Sequence, residues 1–235
     1  LRDKVVLVTG ASSGLGRAIA LAAAREGARL ALCGRSAEKL RETTDALGGA
    51  ESGRVFRESF DVTDFPRIGA FVSAAVGRFG GVDVLVNCAG ANSARSPLEA
   101  MELGDLDAMM RLNCHAPAEF MRACHGPMAA AGKGLVVNVL STCCLFANEG
   151  LAAYTASKSA LDGLAKVYRK EARKAGIRVC SVYPGGINTS FRPQERPEYL
   201  APEAAADAII AIMKMDASLA PDEFVLRPFV ETNYA

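Results

Sequence analysis

Two apolar rhythms alternate along the chain. Short runs with the composition of buried strands occur at Val5 to Val8, Arg29 to Cys33, Arg54 to Ser59, Val82 to Val86, Leu135 to Leu140, Ile177 to Val182 and Glu223 to Leu226. Between them lie segments of helical pattern: Arg17 to Glu26, Ala37 to Leu47, Phe65 to Phe79, Met101 to Ala130, a segment that carries Tyr154 and Lys158 and ends at Ala175 before Gly176, and Pro202 to Met213. Within the longest of these, Pro117 removes a helical N–H, so the hydrogen-bond ladder is expected to distort near Asn113 and to expose a carbonyl there. No internal repeat or low-complexity linker interrupts the alternation. Strand and helix in strict succession, joined by right-handed crossovers, predict an α/β fold: a doubly wound, seven-stranded parallel sheet with helices on both faces, in a single domain spanning residues 1–235.

In such a sheet the chemistry gathers where strands end. The first strand runs directly into Thr9-Gly10-Ala11-Ser12-Ser13-Gly14-Leu15-Gly16 and then a helix. Glycines there let the backbone turn tightly and approach a ligand, and the free N–H groups of the helix start form an anion site suited to a pyrophosphate. A Gly-rich turn with no ligand would look the same. The second strand ends in Gly34-Arg35-Ser36, where an NAD-selective site carries an acid for the ribose 2′-hydroxyl. A guanidinium at Arg35 suits a 2′-phosphate instead, which favours NADP(H) over NAD(H). Asp61, beside Val62, either accepts from an adenine amino group or caps the helix that follows. Asn87-Cys88-Ala89-Gly90 offers small residues under which an adenine ribose could pass, or is an ordinary strand-end turn. Pro184 to Thr189 follows the sixth strand at the same edge.

The stretch from Ser141 to Lys158 holds the groups with acid–base potential. On a helix, Tyr154 and Lys158 lie one turn apart on one face, and an ammonium beside a phenol favours the phenolate, so that the tyrosine can exchange a proton near neutral pH. An exposed Tyr/Lys pair on a wet helix face is the plain alternative. A rival motif overlaps the Gly-rich turn: Gly10 to Gly14 also matches the G-x-S-x-G nucleophile elbow, with Ser12 as nucleophile. That reading needs an acid and then a histidine after later strands, and His115 and His125 both fall in helical pattern.

Composition narrows the rest. Lys+Arg 27 against Asp+Glu 26 leaves a net charge of +1, with the signs interspersed, which argues against nucleic acid and anionic membrane surfaces as partners. No apolar run reaches the length of a membrane span, and the N-terminus enters the first strand without a signal-peptide pattern, so a soluble, cytoplasmic protein is expected. Seven cysteines without C-x-x-C spacing suit reduced thiols, and the two histidines have no ligand pattern around them, so no metal is expected.

Taken together, these motifs resemble those of the short-chain dehydrogenase/reductase superfamily in its single-domain branch, and the resemblance covers essentially the whole chain. They match in order: T-G-x-x-x-G-x-G at Thr9 to Gly16, Asp61, N-[NC]-A-G at Asn87 to Gly90, Asn113, Ser141, Y-x-x-x-K at Tyr154 and Lys158, and P-G-x-x-x-T at Pro184 to Thr189. The resemblance implies a Rossmann fold and an oxidoreductase that moves a hydride between NADP(H) and a small carbonyl or secondary alcohol. It implies Tyr154 as general acid/base, Lys158 lowering its pKa and binding the nicotinamide ribose, Ser141 polarising the carbonyl and Asn113 holding a relay water. Cofactor contacts would come from Gly10, Ser12, Ser13, Gly14, Leu15, Gly16, Arg35, Asp61, Val62, Asn87, Ala89, Gly90, Tyr154, Lys158, Pro184, Gly185, Ile187 and Thr189. The sequence departs from the family pattern in Cys88 and Leu140, and in Ser13, where some NADP-dependent relatives carry a basic residue.

For the substrate, Cys143, Leu145, Gly150, Leu151, Ala91 and Asn92 are expected to line the pocket, and Arg192 and Arg196 are the cations placed to meet a carboxylate. The short segment between Thr189 and Pro202 leaves little lid for a large ligand. Two narrower activities stay open: a 3-ketoacyl-thioester reductase, with Arg169, Lys170, Arg173 and Lys174 as a dock for an acidic carrier protein, and a 3-hydroxy acid dehydrogenase. A non-catalytic dinucleotide sensor is the alternative of a different class. By family likeness a homotetramer or homodimer is expected.

Overall fold

The computed structural model describes residues 1–49, 53–191 and 194–232. Seven strands form one sheet: β1 (Val5–Thr9), β2 (Arg29–Gly34), β3 (Val55–Ser59), β4 (Val84–Asn87), β5 (Gly134–Val139), β6 (Ile177–Pro184) and β7 (Glu223–Leu226). Every pairing is parallel, in the order β3-β2-β1-β4-β5-β6-β7. The helices are α1 (Gly14–Arg25), α2 (Ala37–Asp45), α3 (Phe65–Phe79), α4 (Leu103–Met110), α5 (Ala116–Ala130), α6 (Ala152–Ala172) and α7 (Pro202–Lys214).

Alternation along the strands sends side chains to two separate cores. Val5 and Leu7 of β1 and Leu85 of β4 pack on Phe71, Phe120 and Leu161 of α3, α5 and α6. Val6, Val8, Val84 and Val86, one residue out of phase, pack on Ile19, Leu40 and Ile209 of α1, α2 and α7. Both faces of the central strands are therefore covered, which is why those strands read as unbroken apolar runs. At the amino-terminal edge of the sheet, the Asp83 carboxylate accepts from the Val5 N–H at 2.9 Å and lies 3.4 Å from both Lys4 and Lys133, tying β1, β4 and β5 together. The strand order reverses between β1 and β4, and the chain leaves the carboxyl ends of these two strands toward helices on opposite faces, which opens a crevice there.

The long helical segment from Met101 is three pieces, with a π-helical turn at Arg111–His115 between α4 and α5. In a continuous α-helix the carbonyl of Asn113 would take its hydrogen bond from residue 117, a proline without an N–H. The ladder shifts instead, and the Ala116 N–H reaches back five residues to the Arg111 carbonyl. β6 runs on to Pro184, beyond the expected end at Val182, because β7 continues to pair with Tyr183 and Pro184. Short turns of 3₁₀ helix at Leu98–Ala100, Thr142–Cys144 and Arg173–Ala175 have no signature in the apolar periodicity. Among the described residues no helix is long and apolar enough to cross a membrane.

Candidate active site

A cleft of about 1280 Å³ runs along the carboxyl edge of the sheet, from Arg35 at one end to Ser141 and Tyr154 at the other. Its floor is built by close backbone approach. Gly10, at φ +70°, ends β1, and a side chain there would bring its Cβ within 2.9 Å of the Ala89 Cα. Thr9 fastens the same crossing: its Oγ1 accepts from the N–H groups of Cys88 at 3.0 Å and Ala89 at 2.9 Å. Ser12, Ser13, Gly14, Leu15 and Gly16 carry the wall on into the start of α1. No acidic side chain occupies the first turn of α1, so its N–H groups face the cleft as an anion site.

Beyond β2 the wall is basic. Arg35 lines the cleft as expected, together with Ser36 and Lys39. Ser36 caps α2 by accepting from the Lys39 N–H at 3.2 Å, which puts the Lys39 side chain one turn after Arg35. Lys39 was legible as the fourth residue after Arg35 on a helix, yet sequence reasoning passed over it. Val62 also lines the cleft. Asp61 does not: its Oδ1 accepts from the Thr63 N–H at 2.9 Å and the Thr63 hydroxyl at 2.8 Å, so it holds the turn before α3. Burial pushes its carboxyl up, but the Thr63 N–H, the Thr63 hydroxyl and the nearby Arg35 guanidinium prevail and hold it below the usual range. Asn87, expected to meet the cofactor, does not line the cleft either. Its side chain points into the buried layer, donating to Asn138 Oδ1 at 2.8 Å and the Pro117 carbonyl at 3.3 Å, and it leaves Cys88, Ala89 and Gly90 to line the cleft.

At the other end Ser141 leaves β5 and caps the 3₁₀ turn Thr142–Cys144, its Oγ accepting from the Cys143 N–H at 3.2 Å. Tyr154 sits in the first turn of α6, 9% exposed, with its ring 6.1 Å from that of Phe191. Lys158 follows one turn on, as the spacing required, and lies behind the wall of the cleft. Its Nζ donates to the Val139 carbonyl at 2.8 Å, and a Cβ on Gly90 would stand 3.3 Å from it. Burial draws the Lys158 ammonium below its ordinary value, while the thiols of Cys88, Cys144 and Cys143 around it favour the charged form.

Asn113 is fully buried, also behind the wall. Its amide clasps the backbone of Ala91, accepting from the N–H at 3.0 Å and donating to the carbonyl at 2.9 Å, and donates to Ser157 Oγ at 3.0 Å. Ser157 in turn donates to the Tyr154 carbonyl at 2.8 Å. The π turn is thus bound both to the loop after β4 and to the first turns of α6.

After β6, Pro184, Gly185, Ile187 and Thr189 line the cleft. Asn188 N–H to Leu200 carbonyl and Leu200 N–H to Gly186 carbonyl, at 2.9 and 3.0 Å, close the segment between them into a loop at the mouth. Arg196 in that loop faces the cleft, with its guanidinium 3.4 Å from Glu198, whereas Arg192 lies outside the described residues. Of the expected pocket residues, Cys143, Leu151, Ala91 and Asn92 face the cleft. Leu145 does not, because the 3₁₀ turn swings it outward to 41% exposure, and neither does Gly150, which backs onto Ser96. Val230, Glu231 and Thr232 complete the wall, with Glu231 Oε1 accepting from the Gly186 N–H at 2.8 Å. Nothing local in the sequence points to them, since only the docking of β7 brings the tail there.

One rival reading loses its support, and another loses one of its four cations. His125 Nδ1 is 3.0 Å from the Tyr168 hydroxyl between α5 and α6, and His115 packs edge-on against Phe65, so no imidazole serves Ser12 as a base. Arg169 is not a free cation of the proposed carrier-protein dock. It donates to the carbonyls of Val179 at 2.9 Å and Asp222 at 2.5 Å and bridges to the β7 edge. Among the described residues there is no cluster of His, Cys, Asp and Glu able to hold a metal.

The short chain dehydrogenase family model matches residues 4–200. An uncharacterized oxidoreductase of Staphylococcus haemolyticus is 32% identical over 233 residues, covering 97% of this chain and 98% of that one. Among solved structures, a metagenomic short-chain oxidoreductase in complex with NADP is 32% identical, with a TM-score of 0.86 over 98% of this chain and 99% of that one. The alcohol dehydrogenase of Thermococcus sibiricus, complexed with 5-hydroxy-NADP, is 26% identical, with a TM-score of 0.89 over 97% of this chain and 98% of that one. The chain belongs to the short chain dehydrogenase family and is an oxidoreductase with a Rossmann fold.

Proposed function

We propose that this oxidoreductase interconverts a small ketone and its secondary alcohol with NADP(H), and that Tyr154 is the proton donor in the reducing direction. The observation that carries the reading is one continuous cleft with an anion-binding turn and two cations at one end and Ser141 and Tyr154 at the other. A dinucleotide suits that cleft. Gly10 and Gly90 stand where a Cβ would collide with Ala89 and Asn113, and both leave backbone bare for a ligand to lie on. Gly10, Ser12, Ser13, Gly14, Leu15 and Gly16 would hold the pyrophosphate, Arg35 with Lys39 the 2′-phosphate, Val62, Ala89 and Gly90 the adenosine side, and Pro184, Gly185, Ile187 and Thr189 the nicotinamide carboxamide. Bound there, NADPH supplies the hydride.

The chain's own groups handle charge and protons. Ser141 Oγ donates to the substrate oxygen and shares its growing negative charge. Tyr154 delivers a proton to that oxygen, and the Lys158 ammonium behind it stabilises the phenolate left over. Asn113 is the family's relay position. In this chain its side chain is spent on Ala91 and Ser157, which leaves its backbone carbonyl, without an α-helical donor, as the group to hold a water. Exposed Leu103, Leu164 and Val167 on α4 and α6 support burial of that face in a homodimer or homotetramer, which sedimentation velocity would reveal.

The test is oxidation of NADPH and of NADH against a panel of small ketones, keto acids and 3-ketoacyl thioesters. Tyr154→Phe should abolish turnover and leave NADPH affinity within about twofold, because the hydroxyl serves the transition state. A fully active Tyr154→Phe enzyme would overturn the assignment. NADPH binding with no turnover on any carbonyl would favour the sensor.

A further inference from the structure

The mechanism leaves one group of nucleophiles unused. Cys143 and Cys144 are neighbours in the 3₁₀ turn that follows Ser141, and Cys143 lines the substrate end of the cleft. The Cys143 N–H donates to Ser141 Oγ at 3.2 Å, and the thiol sits in the field of the Lys158 ammonium. None of the other cysteines has a neighbouring thiol in the same turn of the cleft wall. Cys33, Cys124 and Cys180 are sealed in the two cores, Cys114 is buried within the π turn, and Cys88, which also lines the cleft near Lys158, has no second thiol beside it in the chain.

We propose that Cys143 and Cys144 form a peroxide-responsive dithiol in the cleft wall, and that closing it to a disulfide switches off carbonyl reduction by displacing Ser141. This rests on the role given to Ser141 above. A small peroxide reaches Cys143 through the cleft that admits substrate. The Cys143 thiolate attacks one peroxide oxygen, an S–O bond forms as O–O breaks, and the departing hydroxide takes up a proton to leave as water. Cys144, giving up its proton, then attacks the Cys143 sulfur. An S–S bond forms, the S–O bond breaks, and a second water leaves. The dithiol loses two electrons and the peroxide gains them.

Electrostatics supports the order of attack. The Cys144 side chain, with help from Ser141, Thr155 and Lys158, favours the Cys143 thiolate against burial and draws its thiol below the usual value, whereas Cys144 is pushed up by the same pairing and by burial. Cys143, which lines the cleft where Cys144 does not, is the attacking thiolate and Cys144 the resolving partner. Geometry supplies the effect on Ser141. Adjacent Cα atoms stand about 3.8 Å apart, short of the roughly 4.4–6.8 Å that disulfides prefer, so ring closure has to reshape the turn. The turn is held by the Cys143 N–H bond to Ser141 Oγ and by the Leu145 N–H bond to the Thr142 carbonyl at 2.9 Å. Strain of that kind also makes the bond easy to reduce.

The test uses the whole protein treated with hydrogen peroxide, followed by alkylation and peptide mass mapping, with turnover and NADPH binding (by the nucleotide's own fluorescence) measured on the same samples. The expected result is a peptide carrying Cys143 and Cys144 that is two hydrogens lighter. Turnover should fall by roughly a hundredfold, as when a donor to a developing oxyanion is lost, with NADPH binding retained and dithiothreitol restoring both mass and rate. In Cys144→Ser, compared with its own untreated rate, oxidation should stop at a Cys143 sulfenic acid that dimedone traps. Oxidation that maps to Cys88 or Cys114, or a Cys143–Cys144 disulfide that leaves turnover unchanged, would overturn the proposal. If the untreated protein turns over no carbonyl, the reading of Ser141 fails, and the mass mapping alone still shows whether the dithiol closes.

Discussion

Replacing Asn113 with alanine tests the join between the π turn and the site. The substitution removes three hydrogen bonds: two to the Ala91 backbone at 3.0 and 2.9 Å and one to Ser157 Oγ at 3.0 Å. Each is a neutral bond worth about 1 kcal/mol net, and Asn113 has no exposed surface through which water could replace all of them. Ala91 is half-buried at the cleft wall and regains part of its hydration, so the sum falls to about 2–4 kcal/mol with the small void included. For a chain of this size that corresponds to a fall in melting temperature of roughly 4–16 °C, read by calorimetry or by circular dichroism. Ser157→Ala removes only the shared bond and the one to the Tyr154 carbonyl, so the double variant should cost less than the two single costs added. The loop of Gly90 and Ala91 forms part of the cleft wall, and on the proposed function NADPH affinity should therefore fall along with stability. An Asn113→Ala protein that melts with the wild type, or strict additivity with Ser157→Ala, would refute the clasp.

At the adenosine end, Arg35→Ser should raise KM for NADPH by roughly 10–100-fold and leave KM for NADH unchanged, and Lys39→Ala should act in the same sense more weakly. Steady-state kinetics with both nucleotides decides it, and equal changes for both would remove the 2′-phosphate from the argument. At the opposite edge of the sheet, burial alone would raise the Asp83 carboxyl, yet the Val5 N–H and the ammoniums of Lys4 and Lys133 prevail and hold it below the usual range. A lowered folded-state pKa gives stability that is present above the unfolded value and is lost as pH falls through the folded one. Asp83→Asn should therefore cost about 1–2 kcal/mol in urea unfolding at neutral pH, and the difference should close in strong acid, whereas a pH-independent cost would point to packing instead.

The alternation of strand and helix was open to view in the sequence because each period is local: a strand buried on both faces shows as an apolar run, and a helix shows its stripe. The motifs that line or back the cleft were open for the same reason. Gly10 to Gly16 is a single turn, and Tyr154 and Lys158 share one face of a helix by spacing alone. Pro117 announced the break near Asn113 because a missing N–H is a covalent fact.

Other features were settled only by packing between segments distant in the chain. Asn87 and Asp61 were assigned to the cofactor by position, yet β5 draws Asn87 into the buried layer and Thr63 holds Asp61 in a turn. Nothing in the order of residues says which way a strand-end side chain turns, since that follows from what the neighbouring strand offers it. Val230 to Thr232 reach the cleft only because β7 pairs with β6, and Arg169 is occupied only because β7 brings Asp222 and Glu223 beside it. The sequence by itself determined the order of elements and the residue spacing within each motif, which depend on neighbours along the chain. The tertiary structure decided which side chains face the cleft and which lie behind its wall, because that depends on partners supplied across the sheet.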